Sequence, residues 1–501
     1  MEKNQQQIFQ CQLQFGGNTN MPVFNMLQGG GNASSGGGNY GTLPEQIINF
    51  QAKGSNGQIN LTWNNPNDEN FSGVLIRRKT STYPTSPSDG VQVYSGNLQT
   101  VEDTGLTNGT TYYYRAFAYN ANQEYQTIEC FASAIPVPYY IYGVCIDTLN
   151  SNPETSVTYV DDAIGMTGGS ADWNNTTIFK DIKPCVFQNG TVQYYLNPDD
   201  LTKKVDGTNS ILTGADGDVM IEIPKMGLKM VNDSENNKQY VYITDNPSAT
   251  SNGFHYYAHT RDVEGDREKL YIGAYLGQNV SSKLHSYSGV VPTANITLTN
   301  FRTYAQANGT GYDLVSFYPL TLLQALYLVK YKNLDSQTAL GQGYSGVGAA
   351  HITGSTNSLG RDYGTSNKTQ QMCFQNIEDF WGNFYWWIDG FYCNSTYNIL
   401  TATNNFNDTG SGYSDCGQGA TSNIIGFMSA IQGASNTGFV PKLVSSSSTT
   451  YYCDHVQLSS DCLPFFGGNA GSAYYDGAFL FQCSDTASRS FSSLGARLMY
   501  L

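Results

Sequence analysis

Ile377-Glu-Asp-Phe-Trp-Gly-Asn-Phe-Tyr-Trp-Trp-Ile-Asp-Gly390 holds three of the protein's five tryptophans. After the Gly382-Asn383 turn signal, Phe384, Trp386 and Ile388 alternate with Tyr385, Trp387 and Asp389. That is the period-2 pattern of a half-buried strand. Each such ring removes roughly 150–250 Å² from water when buried. Trp381, Trp386 and Trp387 are therefore expected to anchor a core rather than line a ligand site. The main domain is centred here.

Two further segments share an order with this stretch: Phe465-Phe-Gly-Gly468 and Leu494-Gly-Ala-Arg-Leu498. Together with Gly382-Asn-Phe-Tyr-Trp-Trp387 they resemble the formylglycine-generating-enzyme-like branch of the C-type lectin fold. The resemblance is strongest to phage and prophage tail-fibre proteins and to diversity-generating-retroelement variable proteins. It implies an α+β C-type-lectin-like domain whose last segment presents a binding surface.

The chain has 501 residues, room for two to four domains, and a net charge of −15. An acidic surface argues against nucleic acid as a partner. Charged residues make up only 13%, and the polarity comes from Asn, Ser, Thr and Gly beside 37 Tyr. This composition suits loop-rich β structure with an uncharged, hydrogen-bonding surface. Met1-Glu-Lys-Asn-Gln-Gln-Gln7 does not read as a signal peptide, and no apolar run is long enough to insert in a membrane. The ten cysteines lack zinc-type spacing and are expected to be reduced, mostly buried thiols.

Residues 1–42, ending in a Gly/Ser-rich run, read as an attachment leader and linker. Residues 43–136 read as a β-sandwich: Ile59, Leu61 and Trp63 share one face, and Leu106-Thr-Asn-Gly-Thr-Thr-Tyr112 resembles the tyrosine corner of fibronectin type III domains. A spacer role is expected. Residues 137–501 form the lectin-like domain, with a strand-rich front part at 137–311 that takes in Asn300–Ala305. Pro319 is expected to open a long helix carrying Leu320, Leu323, Tyr327 and Tyr331 on one stripe. Residues 393–450 read as surface loops around short strands.

His255 and His259 have the spacing of a helical metal pair, but their surroundings alternate like a strand, which sets them roughly 13 Å apart. Asp216-Gly-Asp218 and Asp262–Asp266 read as turns rather than calcium loops. No metal and no cofactor is expected. The resembling enzymes work through a cysteine pair in the Gly-Gly-to-terminus segment, which here holds only Cys483, so no enzyme activity is expected. Glu378, Asp379 and Asp389 keep a glycan-hydrolase alternative open.

The resemblance to retroelement-diversified proteins divides the last segment into framework and display. The framework is Gly467, Gly468, Gly477, Ala478, Phe479, Gly495 and Arg497, added to the core residues Trp381, Trp386, Trp387, Trp63 and Tyr112. The display set is Asn469, Ser472, Tyr474, Tyr475, Phe481, Gln482, Ser484, Asp485, Arg489 and Phe491. The implied function is a virion fibre or tail-tip adhesin, made in the host cytoplasm, that binds a bacterial surface glycan or protein. Its leader would join other virion proteins, and a homo-oligomer is open. The alternatives are a glycan hydrolase, a formylglycine-generating-like oxidase, and a structural decoration of the virion.

Overall fold

The computed structural model describes residues 42–261 and 265–501. The expected leader and linker, apart from residue 42, lie outside the described residues, as does part of the Asp262–Asp266 turn. The chain divides into two compact units, Met1–Tyr140 and Ile141–Leu501. Both are mostly β, and the second adds helices. Among the described residues no helix is long and apolar enough to cross a membrane.

The first unit is a sandwich of the fibronectin type III kind. Strands Ile48–Ser55, Gln58–Asn64 and Thr100–Thr104 form one sheet. Val91–Gly96, Gly73–Lys79, Tyr112–Tyr119 and Phe131–Ala134 form the other, in that order. Ile59, Leu61 and Trp63 project into the core, where the Trp63 ring meets Phe50 and Tyr94. The Tyr112 hydroxyl accepts a hydrogen bond from the Thr107 backbone N–H at 3.0 Å. This bond clamps the corner before Tyr112–Tyr119 enters its sheet.

Two sheets position the site in the second unit. A seven-stranded sheet runs Asp200–Lys204, Thr191–Asn197, Lys183–Gln188, Asp218–Pro224, Lys269–Gly273, Leu498–Tyr500, Tyr312–Leu314. A six-stranded sheet runs Ile424–Phe427, His455–Leu458, Phe481–Asp485, Leu463–Phe466, Tyr385–Trp387, Leu494–Gly495. The end of the chain thus passes from one sheet to the other at Ala496-Arg497. Arg497 is fully buried at this crossing. Its guanidinium donates to the carbonyls of Gly273, Ala274, Glu378 and Asp379 at 2.7–3.1 Å and lies 5.1 Å from the Trp386 ring. Trp381, Trp386 and Trp387 are all buried.

Three expectations need correction. The long helix spans Phe317–Tyr331, so Pro319 is its third residue rather than its first. The first four N–H groups of a helix have no internal partner, so proline is tolerated there too. Asn300–Ala305 is helical, within Leu298–Gln306. Thr297 caps it by accepting from the Asn300 N–H, and Leu298, Phe301, Arg302 and Ala305 turn inward at helical spacing. The cysteines are not all reduced: Cys462 and Cys483 form a disulfide with Cα atoms 5.5 Å apart. Antiparallel pairing of Leu463–Phe466 with Phe481–Asp485 brings their side chains together.

Candidate functional site

The site is built on the Gly467-Gly468 turn, where both glycines have positive φ, 93° and 81°. A Cβ on Gly468 would stand 1.8 Å from Asp476 Oδ1, and one on Gly477 would stand 2.1 Å from Asp454 Oδ1. The glycines therefore leave room for two completely enclosed carboxyls beneath the loop. Asp454 Oδ2 accepts from the Phe479 N–H at 2.7 Å. Burial pushes both carboxyls well above the usual carboxylate range.

Above this base, Asn469 Oδ1 accepts from the Gly471 N–H and the Ser472 hydroxyl at 2.8 and 3.0 Å. Ala473 follows at φ 56°, a left-handed conformation costly for any side chain. It is held there by Ser345, whose carbonyl accepts its N–H at 2.8 Å, and by the Gln337 side-chain amide, which donates to its carbonyl at 2.8 Å. Val347 and Gly348 both donate to the Ala470 carbonyl. The glycine-rich segment around 341–354 is thus the buttress of the turn.

This scaffold lifts Tyr474 and Tyr475 into solvent, 48% and 37% exposed. Their rings pack on each other at 4.4 Å and both lie nearly parallel to Phe427, at 6.2 and 5.7 Å. His455 meets Tyr475 and Phe427 edge-on at 5.0 and 5.7 Å, and its Nδ1 is 3.3 Å from the Gln482 amide nitrogen. Burial lowers the His455 pKa, which keeps the ring neutral. Register explains the grouping. Phe427 pairs with His455, Ile425 with Gln457, and Gln457 with Gln482, so all of these point to one face of the six-stranded sheet.

The display set is not all displayed. Phe481 is only 3% exposed and packs edge-on against Phe391 at 5.3 Å, because strand parity turns it inward with Cys483. Ser472 is 8% exposed and shapes the turn with Asn469. Gln482, Ser484, Asp485 and Phe491 are half-buried, and Arg489 is exposed. Asp485 and Arg489 approach to 3.5 Å, and the Arg489 guanidinium lies 5.3 Å from the Phe491 ring, which packs on Tyr385 and Phe465. Phe427, Ile425, His455 and Gln457 escaped the sequence reading. The signal for them is the polar–apolar alternation in His455–Leu458, which becomes informative once that strand is paired with Ile424–Phe427.

The carboxylates of the hydrolase alternative are interior groups. Glu378, Asp379 and Asp389 are 1%, 0% and 0% exposed. Glu378 accepts from the Gly354 and Thr356 N–H groups, Asp379 from Gln371 and Asn383, and Asp389 from both Nε and Nη2 of Arg302. The expected strand at His255–His259 is instead a bridge at His255 followed by the turn Tyr257–His259. His259 is fully enclosed, and its Nε2 accepts from the Met226 N–H at 3.3 Å. Among the described residues no group of three His, Cys, Asp or Glu side chains is placed to hold a metal.

No family model matches the sequence, and no curated protein matches it. The chain is similar to "Crystal Structure of FN3tt", at 17% identity over 19% of this chain and 98% of that one, with TM-score 0.16. "Structure of FN3tt mut" aligns at 20% identity over 19% and 97%, with TM-score 0.15. Over a longer span, 79% of this chain and 80% of the other, it is similar to "Major Tropism Determinant P3c Variant" at 12% identity and TM-score 0.21. All three TM-scores lie below 0.5, and the fold described above rests on strand order and register.

Proposed function

We propose that this chain is a virion fibre or tail-tip adhesin that holds a bacterial cell-surface receptor through the face built by Tyr474, Tyr475, Phe427 and His455. The observation that carries this reading is the exposed tyrosine pair, mounted on a turn whose backbone is fixed at Ala473 by Ser345 and Gln337. Exposed rings on a rigid support contribute contact area with little ordering entropy, which is what a binding surface needs. The segment is also the one that the resemblance to tail-fibre and retroelement-diversified proteins assigns to display. The first unit acts as a spacer, and residues 1–42 attach the chain to other virion proteins. Several copies per particle would multiply weak contacts into firm attachment.

The test is retention of labelled full-length protein on a panel of bacteria, beside a Phe427→Ala/Tyr474→Ala/Tyr475→Ala variant of equal melting temperature. Saturable retention on a strain, lost in the variant, is expected. Retention on no strain, or retention unchanged in the variant, overturns the proposal.

A further inference from the structure

We infer that the receptor group seated on this face is an uncharged sugar ring of a surface glycan, an inference that rests on the adhesin reading above. Phe427, Tyr474 and Tyr475 pack as a stack, with Tyr474 and Tyr475 in contact at 4.4 Å and their planes inclined to Phe427 by 19° and 23°, and the two tyrosines leave outer ring surface in solvent. The C–H face of a pyranose can extend such a stack, because aromatic faces attract polarised C–H groups.

Beside the rings lie two amides, Gln457 and Gln482, on neighbouring strands and about one strand spacing, ~4.8 Å, apart. Phe427 and Ile425, whose cross-strand partner is Gln457, are alternate residues of one strand, which puts the ring row and the amide row ~7 Å apart. Each amide offers both a donor and an acceptor, the combination that vicinal hydroxyls require. Gln482 is already oriented by His455 and Gln457 by the Ser459 hydroxyl at 3.4 Å.

Charge decides between ligand classes. None of Phe427, His455, Gln457, Tyr474, Tyr475 and Gln482 carries a formal charge when His455 is neutral, and the whole chain stands at −15. A phosphate-rich or uronic-acid ligand would meet no cation among these six side chains.

The test uses the full-length chain and a strain that retains it. Cells are treated either with periodate, which cleaves the vicinal diols of sugars, or with a broad protease. The inference expects periodate to abolish retention, protease to spare it, and the neutral fraction of the released surface polysaccharide to compete. Gln457→Glu and Gln482→Glu, of unchanged melting temperature, should each weaken binding about tenfold or more. Loss of retention after protease but not periodate overturns the glycan and leaves the adhesin standing, with a protein receptor. Competition by the acidic fraction alone also overturns it. Retention on no strain defeats the adhesin reading itself.

Discussion

Replacing Gly468 by alanine tests the architecture beneath the tyrosine loop. The new Cβ would lie 1.8 Å from an oxygen of Asp476, a residue with no exposed surface and so no room to retreat. Overpacking a filled core costs roughly 1–3 kcal/mol. The positive φ of 81° adds roughly 1–2 kcal/mol for any side chain. The sum is about 2–5 kcal/mol. For a unit of about 360 residues, an unfolding entropy near 2.1 cal/mol/K per residue converts this to a fall of roughly 3–7 °C in Tm. Gly471→Ala is the control. Gly471 is exposed, and its nearest neighbours would be Asn469 Oδ1 at 3.5 Å and Gly348 Cα at 3.7 Å, so less than ~1 °C is expected. Scanning calorimetry on the full chain reads both. Asp476→Ala in the Gly468→Ala background should recover part of the loss, a coupling of about 1 kcal/mol or more. Equal melting of Gly468→Ala and wild type, or an equal drop for Gly471→Ala, would refute the account of the turn.

Arg497→Met leaves four carbonyls without their donor and unpins the crossing between sheets, so a loss of about 3–5 kcal/mol, or ~4–7 °C, is expected by calorimetry. The Cys462–Cys483 disulfide joins positions 21 apart in sequence and encloses the tyrosine pair. Refolding under reductant should lower stability by about 3 kcal/mol, and an unchanged Tm would contradict the pairing. Burial, reinforced by the Asp389 carboxylate, pushes Asp313 up to about 7. A raised carboxyl binds its proton more tightly in the native state, so this group costs stability as pH rises from about 4 to 7. Asp313→Asn should therefore gain Tm relative to wild type at pH 8 but not at pH 4, and equal differences at both would exclude Asp313 as the source.

What the sequence disclosed and what it concealed divide along local and non-local lines. Trp386 and Trp387 could be assigned to a core because adjacent aromatic bulk has few other destinations in water. Tyr112 was readable because a tyrosine corner is a local bond, reaching back only to Thr107. Asn300–Ala305 was misread because Phe301 and Ala305 alternate acceptably in either period until the Thr297 cap is recognised. Phe481 was assigned to the surface because the run Phe479-Leu-Phe-Gln-Cys483 does not declare its parity. Pairing with Phe466 sets it and turns Phe481 inward. Phe427 and His455 join the tyrosines only through pairing of distant strands, which no window of sequence contains. The Cys462–Cys483 bond depends on the pairing of two consecutive strands, which cysteine spacing alone does not declare.

The most direct test of the central claim compares two partly exposed aromatic pairs on the same unit. One variant carries Phe427→Ala/Tyr475→Ala. The other carries Tyr240→Ala/Tyr242→Ala, a stacked pair 5.8 Å apart on the separate four-stranded sheet. Affinity of the full chain for a retaining strain is measured for both at matched stability. Interface-centre rings are worth at least ~2 kcal/mol each, roughly 30-fold, so the first variant should lose about two orders of magnitude or more. The second should stay within about threefold of wild type. Equal losses in the two, or a loss confined to Tyr240 and Tyr242, would contradict the placement of the binding face.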